Sequence, residues 1–360
     1  MPSWMEAGVV ATDYTTAVKK AEATLMFAEA AQAGVAVEQF LNRNATALSA
    51  LSDRLRAAPP SFVVTCARGS SDNAATYGKY LFETLLGITT ASAAPSVSSV
   101  YAARPVAASN ALCIAISQSG RSPDLLASVA AQKSAGAYVV ALVNDEGSPL
   151  ADLADTVLYL SAGAERSVAA TKSYIASLAG LAAVTAAWTQ DSALQNAVLA
   201  LPGQLPRAFQ LDWSGATSAM RDARNLFVIG RGFTFSVAQE AALKLKETCG
   251  LHAECFSAAE VKHGPMTLVR DGFPVLGFAG SDAAGDDVRA TGALFRTRGA
   301  VVHVANDGGE PGALPALGAH PAIEPILQIQ SFYRMVNELA VLRGLNPDSP
   351  PFLNKVTSTR

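Results

Sequence analysis

The chain is poor in charge and in cysteine. Of its 360 residues 16% are charged and 50% hydrophobic, and 27 Lys and Arg stand against 30 Asp and Glu, a net charge of −3. That balance lacks the basic footprint of a nucleic-acid binder, so no nucleic-acid partner is expected. A small anionic ligand needs only local donors and remains open. The four cysteines, Cys66, Cys113, Cys249 and Cys255, are scattered in or near apolar runs and form no CxxC. They read as buried free thiols in a reducing compartment. The start, MPSWMEAGVV, has no basic stretch followed by an apolar one, so no signal peptide is expected. The longest weakly polar run, Tyr174 to Trp188, is too short and too rich in Ala, Gly, Ser and Thr to span a bilayer, and reads as a buried helix. A cytoplasmic protein without membrane contact is expected.

Several catalytic signatures are also missing. There is no Gly-x-x-x-x-Gly-Lys-Ser/Thr, and no Gly-x-Gly-x-x-Gly after a strand, so neither a P-loop nor a dinucleotide site is expected. The His252-Ala253-Glu254 triplet is not HExxH and has no Pro-Cys-x-x-Cys after it, which argues against a metal. No Gly-x-Ser-x-Gly elbow marks a serine hydrolase.

What remains is an alternation of short apolar strands and helices. Residues up to about 60 read as helix, first an Ala-rich stretch from Thr16 to Ala33, then VEQFLNRNATALSALSDRLRA, ended by Pro59-Pro60. Strands are expected at 61–67, 111–117, 137–144, 155–161, 225–230, 273–279 and 300–305. Helices are expected at Asp72–Leu86, from Pro123 to a Gly136 cap, from Ser167 to about Leu201, Phe235–Cys249 and Pro325–Arg343, with LPGQLP (201–206) as a break and the proline-rich end as a loop or arm. The two halves repeat: CARGSSDNAATYGKYLFETLLGI from Cys66 aligns with IGRGFTFSVAQEAALKLKETCGL from Ile229, placing Arg68-Gly69 on Arg231-Gly232 and Gly87 on Gly250. Such alternation implies an α/β fold, parallel sheets with helices on both faces, and ligands at the carboxyl ends of the strands.

The stretch ALCIAISQSGRSPD shows what such an end could hold. The strand empties into Ser117, Gln118, Ser119, Gly120 and Ser122, and Pro123-Asp124 then suits the first turn of a helix. Free N–H groups at a helix start favour an anion, and the hydroxyls and amide add donors, so a phosphate monoester fits. The Arg68-Gly69-Ser70-Ser71 turn offers the same. Serines that merely cap helices are the alternative. The second half carries ALKLKETCGLHAECFSAAEVKHGP. Here Lys244 shares a helix face with Glu240 and Glu247, which taken alone reads as a solvated ion-pair face, and His263 sits in a Gly-Pro turn.

The blocks CARGSSDNA, ISQSGRSPDLL, the lysine-rich block and the tail LNKVT together resemble the sugar isomerase (SIS) domain family over about residues 40–360. They are most similar to the isomerase half of glucosamine-6-phosphate synthase, a tandem of two SIS domains. The resemblance implies two flavodoxin-like SIS domains, at 36–200 and 201–345, behind an N-terminal helical segment (1–35) and before a tail (346–360). It implies that Ser71, Ser117, Gln118, Ser119 and Ser122 hold a sugar phosphate, that Glu247 moves a proton between C1 and C2, and that His263 opens the ring. Lys244 would lie near the sugar, and Lys355 would form a Schiff base with the ketose. No cofactor or metal is implied.

The first SIS-like block begins only a few dozen residues from MPSW, which leaves no room for a glutaminase. The expectation is therefore a stand-alone SIS-type deaminase that converts glucosamine 6-phosphate to fructose 6-phosphate and ammonia, acting as a homodimer with a shared site. A galactosamine-6-phosphate deaminase, a deglycase of phosphorylated sugar–amine adducts and a phosphosugar-sensing regulator are the alternatives. Two departures stand out: Arg121 where the synthase loop has an acid, and Ala170 where it has a serine.

Overall fold

Residues 14–306, 308 and 312–355 are described by a computed structural model. Three helices come first: α1 (Tyr14–Glu22), α2 (Leu25–Ala31) and α3 (Ala33–Ala57). The expected helical start is thus broken at Thr24. Its side chain accepts from the Phe27 N–H and caps α2, so the hydroxyl competes with continuation of α1.

The first sheet is built from β1 (Phe62–Cys66), α4 (Ser70–Leu85), β2 (Thr90–Ser92), α5 (Pro95–Ser99), β3 (Ala111–Ser117), α6 (Pro123–Ser134), β4 (Tyr138–Val143), α7 (Pro149–Leu153) and β5 (Thr156–Tyr159). Helices α8 (Lys172–Thr189), α9 (Ser192–Phe209) and α10 (Ser214–Met220) lead to the second. That sheet comprises β6 (Asn225–Gly230), α11 (Phe235–Cys249), β7 (His252–Ser257), β8 (Pro274–Phe278), α12 (Ala283–Arg296), β9 (Val301–Asn306) and β10 (Ala313–Pro315). The last helix is α13 (Glu324–Leu342).

Both sheets are parallel throughout, and their strand orders are β2-β1-β3-β4-β5 and β10-β9-β8-β6-β7. Read from the other edge, the second is β7-β6-β8-β9-β10, so the two have one topology, the flavodoxin-like order expected. The duplication extends to details. Gly69 and Gly232 have φ of +56° and +59°, and Gly87 and Gly250 have +66° and +59°, all left-handed positions that glycine fills without strain. Arg68 pairs with Asp124 at 2.8 Å, and Arg231 pairs with Asp287 at 2.9 Å.

Two expectations about the linker fail. The helix expected over 167–201 begins at Lys172 and is split at Gln190, whose φ is +57°. Asp191 then caps α9, its carboxylate accepting from the Ala193 and Leu194 N–H groups. LPGQLP is not a break, because Pro202 and Pro206 both lie inside α9. Pro206 cannot donate to the Pro202 carbonyl. At that carbonyl Gly34 of α3 comes so close that a Cβ would lie 2.8 Å away, so tertiary packing overrides the local signal. The strands β2, β7 and β10 had no apolar run to mark them, being short or polar edge strands. Helix α8 is buried on nearly every face, as expected of the 174–188 run. Among the described residues no helix is long and apolar enough to cross a membrane.

One core contact fastens the edge of the first sheet. Asn44 on α3 is buried. Its amide donates to the Tyr159 carbonyl at 2.9 Å and its oxygen accepts from the Tyr159 N–H at 3.0 Å, pairing the outer side of β5. Asn44→Leu leaves both backbone groups buried and unpaired. The urea midpoint should fall by an amount equivalent to about 1–3 kcal/mol with an unchanged slope. An unchanged midpoint contradicts this role.

Candidate active site

In this strand order the topological switch lies between β1 and β3, and ligands bind outside the carboxyl ends of those strands. The two serine loops are there. Ser117 is buried at the end of β3, and its hydroxyl accepts from the Gly120 N–H at 2.9 Å, folding the loop into a tight turn. Gly120 has φ +62°. The loop is laced to the next one: the Gln118 carbonyl accepts from Asn144 N and Asp145 N, and the Gly120 carbonyl from Leu150 N. Gln118, Ser119 and Ser122 are half-buried on this edge, and Ser122 precedes α6 without using its hydroxyl to cap it. Across the switch point Gly69 precedes α4, and Ser70 and Ser71 form its first turn. Two helix starts without side-chain caps therefore face one strand edge, ringed by hydroxyls.

The second domain differs at one of the two matching helix starts. At the matching end of β8, the Asp282 carboxylate caps α12 through the Gly285 N–H at 2.9 Å, and Glu324 accepts the Ser281 N–H at 2.7 Å. Carboxylates of the chain itself occupy the donors that the first domain leaves available.

The lysine block lies on α11, which packs against α4 across the domain junction. Lys244 is 1% exposed. Its Nζ donates to Glu247 Oε2 at 2.5 Å and to Ser70 Oγ at 3.1 Å, and lies 3.4 Å from Glu240 Oε1. Glu240 is fully buried and also accepts from Asn73 Nδ2 at 2.9 Å and from the Tyr333 hydroxyl at 3.2 Å. The solvated-face alternative for Lys244 is thereby overturned. Burial pushes the Glu240 carboxyl above its ordinary range, against the pull of Lys244. Burial also works against the Lys244 ammonium, but Glu240 and Glu247 outweigh it and hold the group above its ordinary range. Glu247 keeps 23% of its side chain exposed, so its carboxylate has both a fixed cation and an outlet.

The tail is ordered by polar contacts. The Asp348 carboxylate accepts from Leu25 N and Met26 N at 2.8 and 2.7 Å, and its carbonyl accepts from Val168 N at 3.1 Å. Lys355 Nζ then donates to the Ser167 carbonyl at 2.8 Å and to Glu165 Oε2 at 3.3 Å.

The structure thus joins Lys244, Glu247 and the Arg68–Ser71 turn, and it sets Lys355 on the segment leading into α8. It does not bring His263 to any of them. That residue ends a 3₁₀ turn beyond the edge strand β7, exposed, and its ring makes no hydrogen bond or ion pair with another described residue. Within the serine turn Ser70 touches Lys244, and Ser71, expected to hold phosphate, is half-buried in the first turn of α4. Arg121 does not enter the loop interior. It binds Asp145 Oδ2 at 2.8 Å and the Gly147 carbonyl at 2.9 Å, tying two loops together. Ser70, Asn73 and Glu165 were missed from the sequence. The first two lie inside the ARGSSDNA block, whereas nothing in the sequence marks Glu165.

The turn geometry has a direct test. A Cβ at Gly120 would lie 2.5 Å from Ser148 Oγ and 2.9 Å from Val143 Cγ2, on top of the unfavourable φ. Gly120→Ala should force the loop open and weaken binding of a phosphorylated hexose about tenfold or more in titration calorimetry, the cost of losing charged hydrogen bonds. Wild-type affinity would show that the loop does not hold the ligand.

Comparison with known proteins agrees with this geometry. The SIS domain model matches residues 61–187 and 219–311. Glutamine–fructose-6-phosphate aminotransferase [isomerizing] of Thermococcus kodakarensis is 34% identical over 313 residues, covering 81% of this chain and 51% of its own length. The chain spans about half the length of the curated relatives it matches. A Silicibacter pomeroyi protein described as a candidate phosphosugar isomerase has a crystal structure that superposes with a TM-score of 0.86 at 42% identity, covering 90% of this chain and 100% of its own. The glucosamine-6-phosphate deaminase of Thermotoga maritima shares the fold, with a TM-score of 0.76 at 22% identity over 93% of this chain and 100% of its own. With two matched segments, two sheets of one topology and a serine-lined switch point in the first, the chain belongs to the SIS domain family, as a tandem of two such domains.

Proposed function

We propose that the protein is a phosphosugar isomerase that acts on an amino sugar, releasing ammonia from glucosamine 6-phosphate to give fructose 6-phosphate. The observation that carries this reading is the 3.1 Å contact between Lys244 Nζ and Ser70 Oγ. It joins the Lys244–Glu247 pair of the second domain to the serine turn of the first, which supports reading the pair as acid–base machinery and the turn as part of a phosphate site. A phosphate at one end of a short sugar would leave its other end at Glu247. The names of its relatives support the substrate class: aminotransferases that isomerise fructose 6-phosphate, a candidate phosphosugar isomerase and a hexosamine phosphate deaminase.

In this reading the first-domain loops hold the phosphate. Glu247 takes the proton from C2 of the open-chain aldose and returns it to C1, which leaves an imine of ammonia at C2. Lys244 holds that carboxylate in place. The Lys355 amine adds at C2 and ammonia departs; water then releases Lys355 and leaves the ketose. The sum is amino sugar phosphate plus water giving ketose phosphate plus ammonia. His263 is exposed and makes no hydrogen bond or ion pair with another described residue, so in this reading a second copy receives it at its site and uses it to open the ring. This requires a homodimer. A second reading keeps the same steps with a larger substituent on the amine that leaves C2.

Incubation with glucosamine 6-phosphate, galactosamine 6-phosphate and phosphorylated sugar–amine adducts should release amine and ketose phosphate together from the first. Release only from an adduct selects the second reading, and no turnover of any phosphate ester contradicts both. Glu247→Gln keeps size but cannot accept a proton, so turnover should drop at least ~100-fold with affinity nearly intact. Near-normal turnover would make Glu247 a mere ion-pair partner. Mixing inactive His263→Ala and Glu247→Gln chains should restore part of the activity, because a mixed dimer contains one site with both native groups. No recovery in verified mixed dimers would show that the sites are not shared.

A further inference from the structure

We propose that Glu165 is a positioning residue whose buried carboxylate docks the tail amine of Lys355; this rests on the reading of Lys355 as the imine-forming group. Glu165 lies in the segment between β5 and α8, and its side chain is 0% exposed. Oε1 accepts from Thr171 N at 2.9 Å and Ser173 N at 3.2 Å, and Oε2 from Ser173 Oγ at 2.6 Å. The start of α8 thus fixes the carboxylate before the tail arrives. The remaining contact of Oε2 is Lys355 Nζ. Burial alone would raise the pKa of this carboxyl, but Lys355 and the Thr171 and Ser173 donors outweigh it and hold the group below its ordinary range.

The tail has little else to hold its end. Beyond Asp348 the chain runs to Lys355 with Pro351 to Asn354 all exposed, and Phe352 extends wholly into solvent. No apolar anchor among these four residues fixes the lysine. Its placement depends on Glu165 and the Ser167 carbonyl. A long flexible side chain on a loosely held segment loses much of its reactivity through disorder, and a fixed anion at its tip restores the geometry. Glu165 is placed against the lysine amine and not against the sugar. It delivers the amine that reacts.

The test compares Glu165→Gln with Ser173→Ala, which disturbs the same buried network but leaves the carboxylate–amine pair. Trypsin cleaves after Lys355 only when the tail is released, so mass spectrometry should show Val356–Arg360 leaving Glu165→Gln at least ~10-fold faster than wild type or Ser173→Ala. With fructose 6-phosphate and borohydride, which delivers hydride to the imine carbon and leaves a stable secondary amine, trapping at Lys355 should slow by ~10- to 100-fold in Glu165→Gln. KM should stay within about twofold, since the phosphate loops are untouched, while kcat falls. Equal cleavage and trapping rates in folded Glu165→Gln and wild type overturn the docking role. No Lys355 adduct in the wild type would instead overturn the imine reading, while the cleavage comparison would still decide whether Glu165 holds the tail.

Discussion

Everything at the site depends on holding one lysine cation inside the protein. Lys244 is almost wholly buried, and a lone ammonium there would be too costly to keep charged. Two carboxylates from its own helix and a hydroxyl from the other domain offset that cost. Removing one member of such a buried set commonly costs about 3–5 kcal/mol, because the others stay behind uncompensated. The set therefore also fixes how the two domains meet. Asn73 of α4 reaches Glu240 of α11, and Tyr333 of α13 closes the other side. The junction that makes the interior possible is the same junction that sets Lys244 and Glu247 beside the serine-lined edge of the first domain.

The duplication shows where the two domains differ. Both domains inherit the strand order, the left-handed glycines and the arginine–aspartate pair behind the turn. They differ in what meets the helix starts. The first domain leaves α4 and α6 without side-chain caps and surrounds them with serines, whereas in the second the start of α12, the match of α6, is taken by Asp282 and the Ser281 N–H just before it by Glu324. The second domain instead brings Lys244 and Glu247 on α11 up to the edge of the first. Two copies of one unit thus carry different side chains to one place.

Much of this was legible in the sequence, for physical reasons that also mark its limits. Central strands buried on both faces are continuous apolar runs, so β1, β3, β4, β6, β8 and β9 were visible. The edge strands β2, β7 and β10 were not, because β2 and β10 are three residues long and β7 is polar where it faces solvent. The serine loop and the lysine block were legible because their residue types suit no bland purpose together. Local rules failed where packing decides: Pro202 and Pro206 stay helical because Gly34 lets α3 approach, and α8 stops at Gln190. Glu165 could not have been found. A single glutamate in SAGAERSV becomes meaningful only when a tail 190 residues later folds back onto it.

The central claim is that a proton moves between C1 and C2 of a phosphorylated sugar at Glu247. The most direct measurement is NMR of glucosamine 6-phosphate turned over by the wild-type protein in deuterated water. A carboxylate open to solvent exchanges the proton it carries, so deuterium should appear at C1 of the fructose 6-phosphate formed. Ketose formed over many turnovers with no deuterium at C1 would mean that the hydrogen never passed through an exchangeable group, and would contradict the account.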